Sequence, residues 1–415
     1  MKKFYLYLFF IFSILVSLFF FKNNETMGVN WTFPYFSGAA NIDTSFEWNI
    51  SPEDFEIVKN INSEDYYSYK HLKTEQTVEY TYGNLGYVLV AYLSRFFFGM
   101  FGDVNSILIF QLLIHFLISI FVIEKVLLSN VNRYAFVLLY ASNPLVIHFV
   151  TFPFYYFWMV LPSVSLLLFD SYKDKIPRYL FFVTIVLLFS TFIRPTTIFL
   201  SFGLYVLVIF YANKMVDKKT AVAYFFIFVV GTILMSKNSG QGPWHTMYVG
   251  IGAYSNSYEI GELSDHEAYD YYNSTTGIQM SSDPISGTFV NKDKYLKYTN
   301  KIKERYLYIV KSDPLLIARN SLFNFPQVYS IGYIVDSKLL TFVSSLIGVL
   351  MILLFIYTKE YVVLFGVFLS ALSFFWYFPA IPAYNFAAYI MLVVGFIRSL
   401  NFLWRGKFKQ RRFYF

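Results

Sequence analysis

The chain has 415 residues, 57% of them hydrophobic and 22% aromatic, with a formal net charge of +7 and a mean hydropathy of +0.49. Repeated apolar runs at this density cannot be the core of one soluble domain, which would need many more polar surface positions, so the expected fold is an all-α polytopic membrane protein. The absence of cysteine excludes disulfides, thiolate metal sites and cysteine nucleophiles. Lys and Arg clustered between apolar runs read as a topological signal and imply no nucleic-acid partner.

Lys2 and Lys3 precede an apolar run from Phe4 to Phe21 that ends in bulky FFFK with no small-x-small cleavage site. Residues 1–21 are therefore expected to be an uncleaved first transmembrane helix with its N-terminus inside. A long polar loop follows at 22–103. Residues 104–236 read as six spans, at 104–123, 134–152, 154–169, 179–193, 196–212 and 220–236. A second long loop covers 237–338, three more spans lie at 339–357, 361–379 and 384–400, and 401–415 is a basic cytoplasmic tail. The expected architecture is thus about ten transmembrane helices with two large extracytoplasmic loops containing surface helices.

Charge sets that count. Gly86 to Phe101 could be an eleventh span, but laid on the membrane surface it puts 17 of the 18 Lys and Arg outside the two long loops on the side of Lys2 and Lys3. Both ends are then cytoplasmic, and the loops, which hold 21 of the 26 Asp and Glu, face outward. The Phe, Tyr, Asn, Lys and Ile bias reads as a bacterial inner membrane.

The exception among the 18 is Arg194. It is the only charge in the 34 residues from Tyr179 to Ala212, a run too long for one span, and Pro195 beside it lacks an N–H and breaks a helix. Arg194-Pro195 is expected at the tip of a hairpin facing outward. An arginine there commonly snorkels to headgroups; its lone position outside the charge pattern favours a phosphate clamp, since guanidinium pairs with phosphate bidentately.

Loop 1 is rich in carboxylates with aromatic neighbours. Asp43 comes 22 residues after the first span, and Asp54 and Asp65 lie in stretches that look helical. A carboxylate near a low-dielectric surface can serve as general base, because partial desolvation raises its proton affinity; solvated caps are the plainer reading. In loop 2, five glycines from Gly240 to Gly261 interleave with Trp244, Tyr248, Tyr254 and Tyr258, a composition that suits a sugar and equally suits packing. Trp244, His245, Asp265 and His266 are the candidates there. Their spacing fits no standard zinc motif, so a divalent metal has no support. The next helix sets Lys294, Lys297, Lys301 and Arg305 on one face and Tyr295, Tyr298, Ile302, Tyr306 and Ile309 on another, the pattern of an interfacial basic helix or of a solvated face. Asp313-Pro314 then starts a helix carrying Arg319.

An inside N-terminus, one span, a long acidic outer loop, the Gly-Tyr-led segment Tyr80 to Asp103 and the Arg-Pro hairpin at 194–195 together resemble the GT-C superfamily of membrane glycosyltransferases over about the first 210 residues. The resemblance implies a polyprenyl-phosphate-linked sugar donor and a glycan, lipid-linked saccharide or protein acceptor. It also implies inversion, with Asp43, then Asp54 or Asp65, as base, and Arg194 and Arg319 stabilising the departing phosphate. The prolines usual before the surface helix are missing. The nearest rival resemblance is to O-antigen or capsule polymerases, which lean on loop arginines; here the loops hold only Arg95, Arg305 and Arg319. A lipid-linked glycan flippase would put polar groups at midplane, where only Gln111, His115 and His148 occur.

Overall fold

The computed structural model describes ten scattered positions between 7 and 39, then residues 85–127, 129–171, 176–215, 218–236, 243–278, 292–335 and 337–405. Asp43, Asp54, Asp65 and the end of the basic tail lie outside them. Every regular element among the described residues is helical. Among the described residues, three helices are long and apolar enough to cross a membrane, within Val104–Val126, Lys338–Tyr357 and Pro382–Trp404. A fourth crossing is available as a bent pair, Pro144–Val150 with Tyr155–Ser171, and shorter apolar helices lie within Gly86–Phe101, Tyr179–Ile193, Pro195–Phe210 and Tyr361–Ala371. By length alone, fewer helices qualify as spans than the sequence suggested.

The first continuous helix, α1 (Leu85–Phe98), turns through Gly99–Phe101 into α2 (Asp103–Phe121), which ends in a π-helical turn, Val122–Val126. Two contacts fix their pairing: Ser94 Oγ lies 3.4 Å from Ser106 Oγ, and Tyr87 OH donates to Gln111 Oε1 at 3.3 Å. As one partner number rises the other falls, so the helices are antiparallel. The expected surface helix at 86–101 therefore packs along α2. At 14 residues, about 21 Å, it is too short to cross a ~30 Å hydrocarbon core.

The expected span at 134–152 is not one straight helix. It comprises α3 (Asn130–Phe136), a π-helical turn at Val137–Ala141 and, after a break, α4 (Pro144–Val150). Asn143 causes the restart by accepting from Leu145 N at 2.9 Å, with Pro144 in the first turn, where its missing N–H costs nothing. A 110° bend follows before the 3-10 turn Tyr155–Met159 and α5 (Val160–Ser171). The bend leaves carbonyls without helical donors, and Gln111 of α2 satisfies two: its Nε2 donates to Val150 O and Phe152 O, both at 2.9 Å. Its Oε1 accepts from Trp158 Nε1 at 3.0 Å as well as from Tyr87. One fully buried amide thus spends all its hydrogen-bonding capacity on the break. His115 Nε2 donates to Ala141 O at 3.1 Å, at the end of the π-helical turn.

Helices α6 (Ile176–Ile193) and α7 (Ile198–Met215) form the Arg-Pro hairpin. Arg194 is extended (φ −144°, ψ 104°), Pro195–Thr197 makes a 3-10 turn, and Thr197 Oγ1 donates to Arg194 O at 2.9 Å. Tyr205 OH donates to Thr184 Oγ1 at 2.5 Å, a pair symmetric about that turn. Next come α8 (Lys218–Ser236) and the loop-2 helices α9 (Trp244–Val249), α10 (Asp265–Thr276), α11 (Lys292–Ser312) and α12 (Pro314–Gln327). Three helices close the fold: α13 (Lys338–Tyr357), α14 (Tyr361–Ala371) and α15 (Pro382–Arg405). At the end of the bundle that carries Lys125 and Lys359, Arg398 of α15 meets Asp170 Oδ2 at 2.5 Å and Glu360 Oε2 at 3.6 Å, and its Nη2 donates to Ser171 Oγ at 3.1 Å. All three charged side chains are at most 10% exposed, so this cluster locks α5, α14 and α15 together.

Candidate functional site

The hairpin apex sits at the opposite end, beneath loop 2. The Arg194 guanidinium lies over the Tyr155 ring at 4.4 Å and the Tyr384 ring at 5.9 Å, with Tyr156 and Tyr35 also within electrostatic range. Tyrosine faces attract a cation without cancelling its charge. Each ring reaches Arg194 because of a break in a helix: Tyr155 and Tyr156 open the 3-10 turn after the 110° bend, and Tyr384 stands in the first turn of α15. Tyr35 brings loop 1 to the same place, packing edge-on against Tyr87 at 4.8 Å and Phe154 at 5.9 Å. Gly86 stands at the contact of α1 with this apex, where a Cβ would collide with the backbone of Phe192 and Ile193.

Loop 2 caps the apex with a small helical body. The face of α11 carrying Tyr298, Ile302, Tyr306 and Ile309 is buried, and the helix packs on α9, α10 and α12. That apolar face is internal core, which corrects the reading of α11 as a helix lying on lipid. Asn256 organises the glycine-rich stretch: its Nδ2 donates to Ile260 O at 2.8 Å and Tyr254 O at 3.1 Å, and its Oδ1 accepts from Tyr258 N at 3.0 Å. Gly252 lets that loop close, since a Cβ there would strike the Glu262 carbonyl. Glu267 accepts from Gly261 N at 2.9 Å and Glu262 N at 3.1 Å.

Two of the loop-2 candidates come together. Tyr298 OH and His245 Nδ1 are 2.5 Å apart, and His245 Nε2 lies 3.0 Å from Asp265 Oδ1. For a neutral imidazole the consistent assignment has Tyr298 donating to Nδ1 and Nε2–H donating to Asp265. Tyr269 stacks on the imidazole at 5.4 Å. Tyr298 is fully buried, whereas the Asp265 side chain is 59% exposed, so the chain of hydrogen bonds runs from core to surface. The hydrogen bond from His245 holds the Asp265 carboxyl below its ordinary range, outweighing the opposing effect of burial. Tyr384 is electrostatically coupled to both Asp265 and Arg194. Tyr377, in the turn before α15, donates from its hydroxyl to Ser373 O at 2.6 Å.

The remaining candidates are dispersed. His266 is exposed in the first turn of α10, its N–H bonded to Ser264 Oγ at 3.3 Å. Trp244 lies under Lys303 Nζ at 5.1 Å. Arg305 is enclosed by the rings of Tyr271, Tyr308 and Tyr258 at 5.3, 5.6 and 5.8 Å. Arg319 braces loop 2: Nη2 donates to Ser255 O at 2.8 Å and to Asn320 Oδ1 at 3.0 Å. Sequence reading did not single out the buried polar stripe of α12. Asn324 accepts from Tyr254 OH at 2.7 Å and donates to Phe375 O at 2.9 Å, and Gln327 donates to Tyr254 OH at 2.9 Å. The spacing of Asn320, Asn324 and Gln327 on one helical face was the available signal.

Among the described residues, no three His, Asp or Glu side chains gather as a metal site. The site thus offers a guanidinium over two phenol rings, one of which, Tyr384, also feels the charge of Asp265. Such a combination can bind a phosphate and hydrogen-bond sugar hydroxyls. Compared with family models, curated proteins and solved structures, the chain matches none.

Proposed function

We propose that this protein is a membrane glycosyltransferase of the GT-C kind. It would move a sugar from a polyprenyl-phosphate donor to a glycan, lipid-linked saccharide or protein acceptor on the extracytoplasmic face of a bacterial inner membrane. The reading takes the full topology of about ten spans with both termini cytoplasmic. The observation that carries it is Arg194: a cation at a hairpin apex, over the rings of Tyr155 and Tyr384, below an ordered outer loop.

In the reaction, the acceptor hydroxyl oxygen attacks the anomeric carbon while the bond from that carbon to the phosphate oxygen breaks. The hydroxyl proton passes to a loop-1 carboxylate, with Asp43 first in order and Asp54 and Asp65 next. Asp43 follows Ala39 by four residues in the sequence, and the nearby Tyr35 belongs to the Arg194 cluster. The leaving phosphate gains charge as the bond breaks, and Arg194 is suited to stabilise it in a site poor in water. Asp265, kept ionised by His245, suits acceptance of hydrogen bonds from sugar hydroxyls better than proton removal.

Two observations bear on the rivals. Arg319 is engaged with Ser255 and Asn320, which disfavours a polymerase relying on that loop arginine. Gln111 and His115 are engaged in holding helix breaks, which disfavours a polar path for transport. The test is the surface glycan profile, by mass spectrometry, of cells carrying wild type, a deletion, Asp43→Asn and Arg194→Ala at matched membrane abundance. Loss of one sugar in the deletion, with Arg194→Ala lowering its transfer about 10²–10³-fold, supports the proposal. Loss of long chains with intact repeat units points to the polymerase, and an unchanged glycan profile in the deletion overturns enzymatic transfer altogether.

A further inference from the structure

At the end of the bundle that carries Lys125, a groove of about 380 Å³ opens between α2, α5, α6 and α7. Its walls include Phe121, Phe169, Val183, Val186 and Leu204, and among the described residues its one charged lining side chain is Lys125. Ser165 also lines it, but its hydroxyl is spent on Leu161 O at 3.0 Å. Along α6 the lining runs from Tyr179 to Val186, a depth of about 10 Å at the helical rise. Tyr179 is 52% exposed and Phe182 66%, so the mouth faces the surface that the apolar helices present to lipid.

A narrow apolar slot with one exposed ammonium at its mouth distinguishes among occupants. The slot takes hydrocarbon, and the lysine selects for negative charge where the chain leaves the slot. We infer that this groove binds an anionic phospholipid of the cytoplasmic leaflet, one acyl chain lying between α5 and α6 and the headgroup phosphate meeting Lys125. Basic pockets between transmembrane helices on the cytoplasmic side suit anionic headgroups, and one lysine at the surface favours an anionic lipid over a zwitterionic one by about five-fold. The inference stands apart from the proposed transferase activity, because the groove lies at the opposite end of the bundle from Arg194.

The test is native mass spectrometry of the full chain purified in detergent and exposed to equimolar phosphatidylglycerol and phosphatidylcholine. Wild type is expected to retain phosphatidylglycerol about five-fold over phosphatidylcholine. Lys125→Gln, a change at an exposed position, is expected to abolish that preference, whereas Lys359→Gln, an exposed lysine outside the groove, leaves it intact. Val183→Trp, which fills the slot, is expected to remove both lipids. Equal retention of the two lipids by wild type overturns the inference, as does a preference that survives Lys125→Gln or a bound lipid that survives Val183→Trp.

Discussion

The two ends of this bundle each bury an arginine, and they do so in opposite ways. Arg398 is met by two carboxylates and a serine hydroxyl from neighbouring helices, in a cluster whose charged side chains are at most 10% exposed. Arg194 lies over the rings of Tyr155 and Tyr384 at two helix starts, with Tyr35 of loop 1 within electrostatic range. Carboxylates cancel the charge and turn the arginine into a clasp between helices. Phenol rings hold the guanidinium by cation–π attraction and bring no formal countercharge of their own. One end is a clasp between helices, and the other is where the proposed function puts the donor phosphate.

That contrast is sharpened by three changes. Arg398→Ala is expected to have the largest effect on the fold, about 3–5 kcal/mol, because Asp170 and Glu360 would be left buried without their cation. Membrane abundance and detergent melting temperature read it directly, and a variant as stable as wild type would remove the clasp. Arg194→Lys is expected to do the reverse, holding abundance while lowering transfer tenfold or more, since lysine keeps the charge but loses the planar fork. If it instead collapses the fold while glycan transfer per molecule is unchanged, the two ends are alike after all.

Asp265→Asn should have the smallest effect, and its signature is pH dependence. The folded-state carboxyl is held below its ordinary value by His245, so its stabilising contribution is full above the unfolded pKa of about 3.9 and is lost as pH falls through the lowered folded value. Melting temperatures of wild type and Asp265→Asn should therefore differ slightly at neutral pH and converge in acid. A gap of constant size across that range would show that the hydrogen bond from His245 contributes nothing.

The hairpin at Arg194 was legible because length and chemistry agreed: an apolar run too long for one span with a proline at its centre leaves one place for the turn. The expected spans at 179–193 and 196–212 fall within three residues of the ends of α6 and α7. The break inside 134–152 was signalled by Asn143-Pro144 and Pro153 but masked by hydropathy, which averages over the turn it should detect. Pairing of His245 with Asp265 joins residues 20 apart and rests on Tyr298 in a third helix, a relation no spacing rule announces. Arg319 illustrates the converse: a cation in an outer loop looks available until its carbonyl and amide partners are seen.

The bend between α4 and α5 also bears on how the chain reaches its membrane. A 110° break with bare carbonyls cannot enter hydrocarbon as an independent segment, because each unsatisfied group costs free energy there. Gln111 supplies the donors, and it lies about 40 residues upstream, so α2 leaves the ribosome first. The order of the sequence is thus an order of biogenesis, in which the earlier helix is already in place to receive the later one.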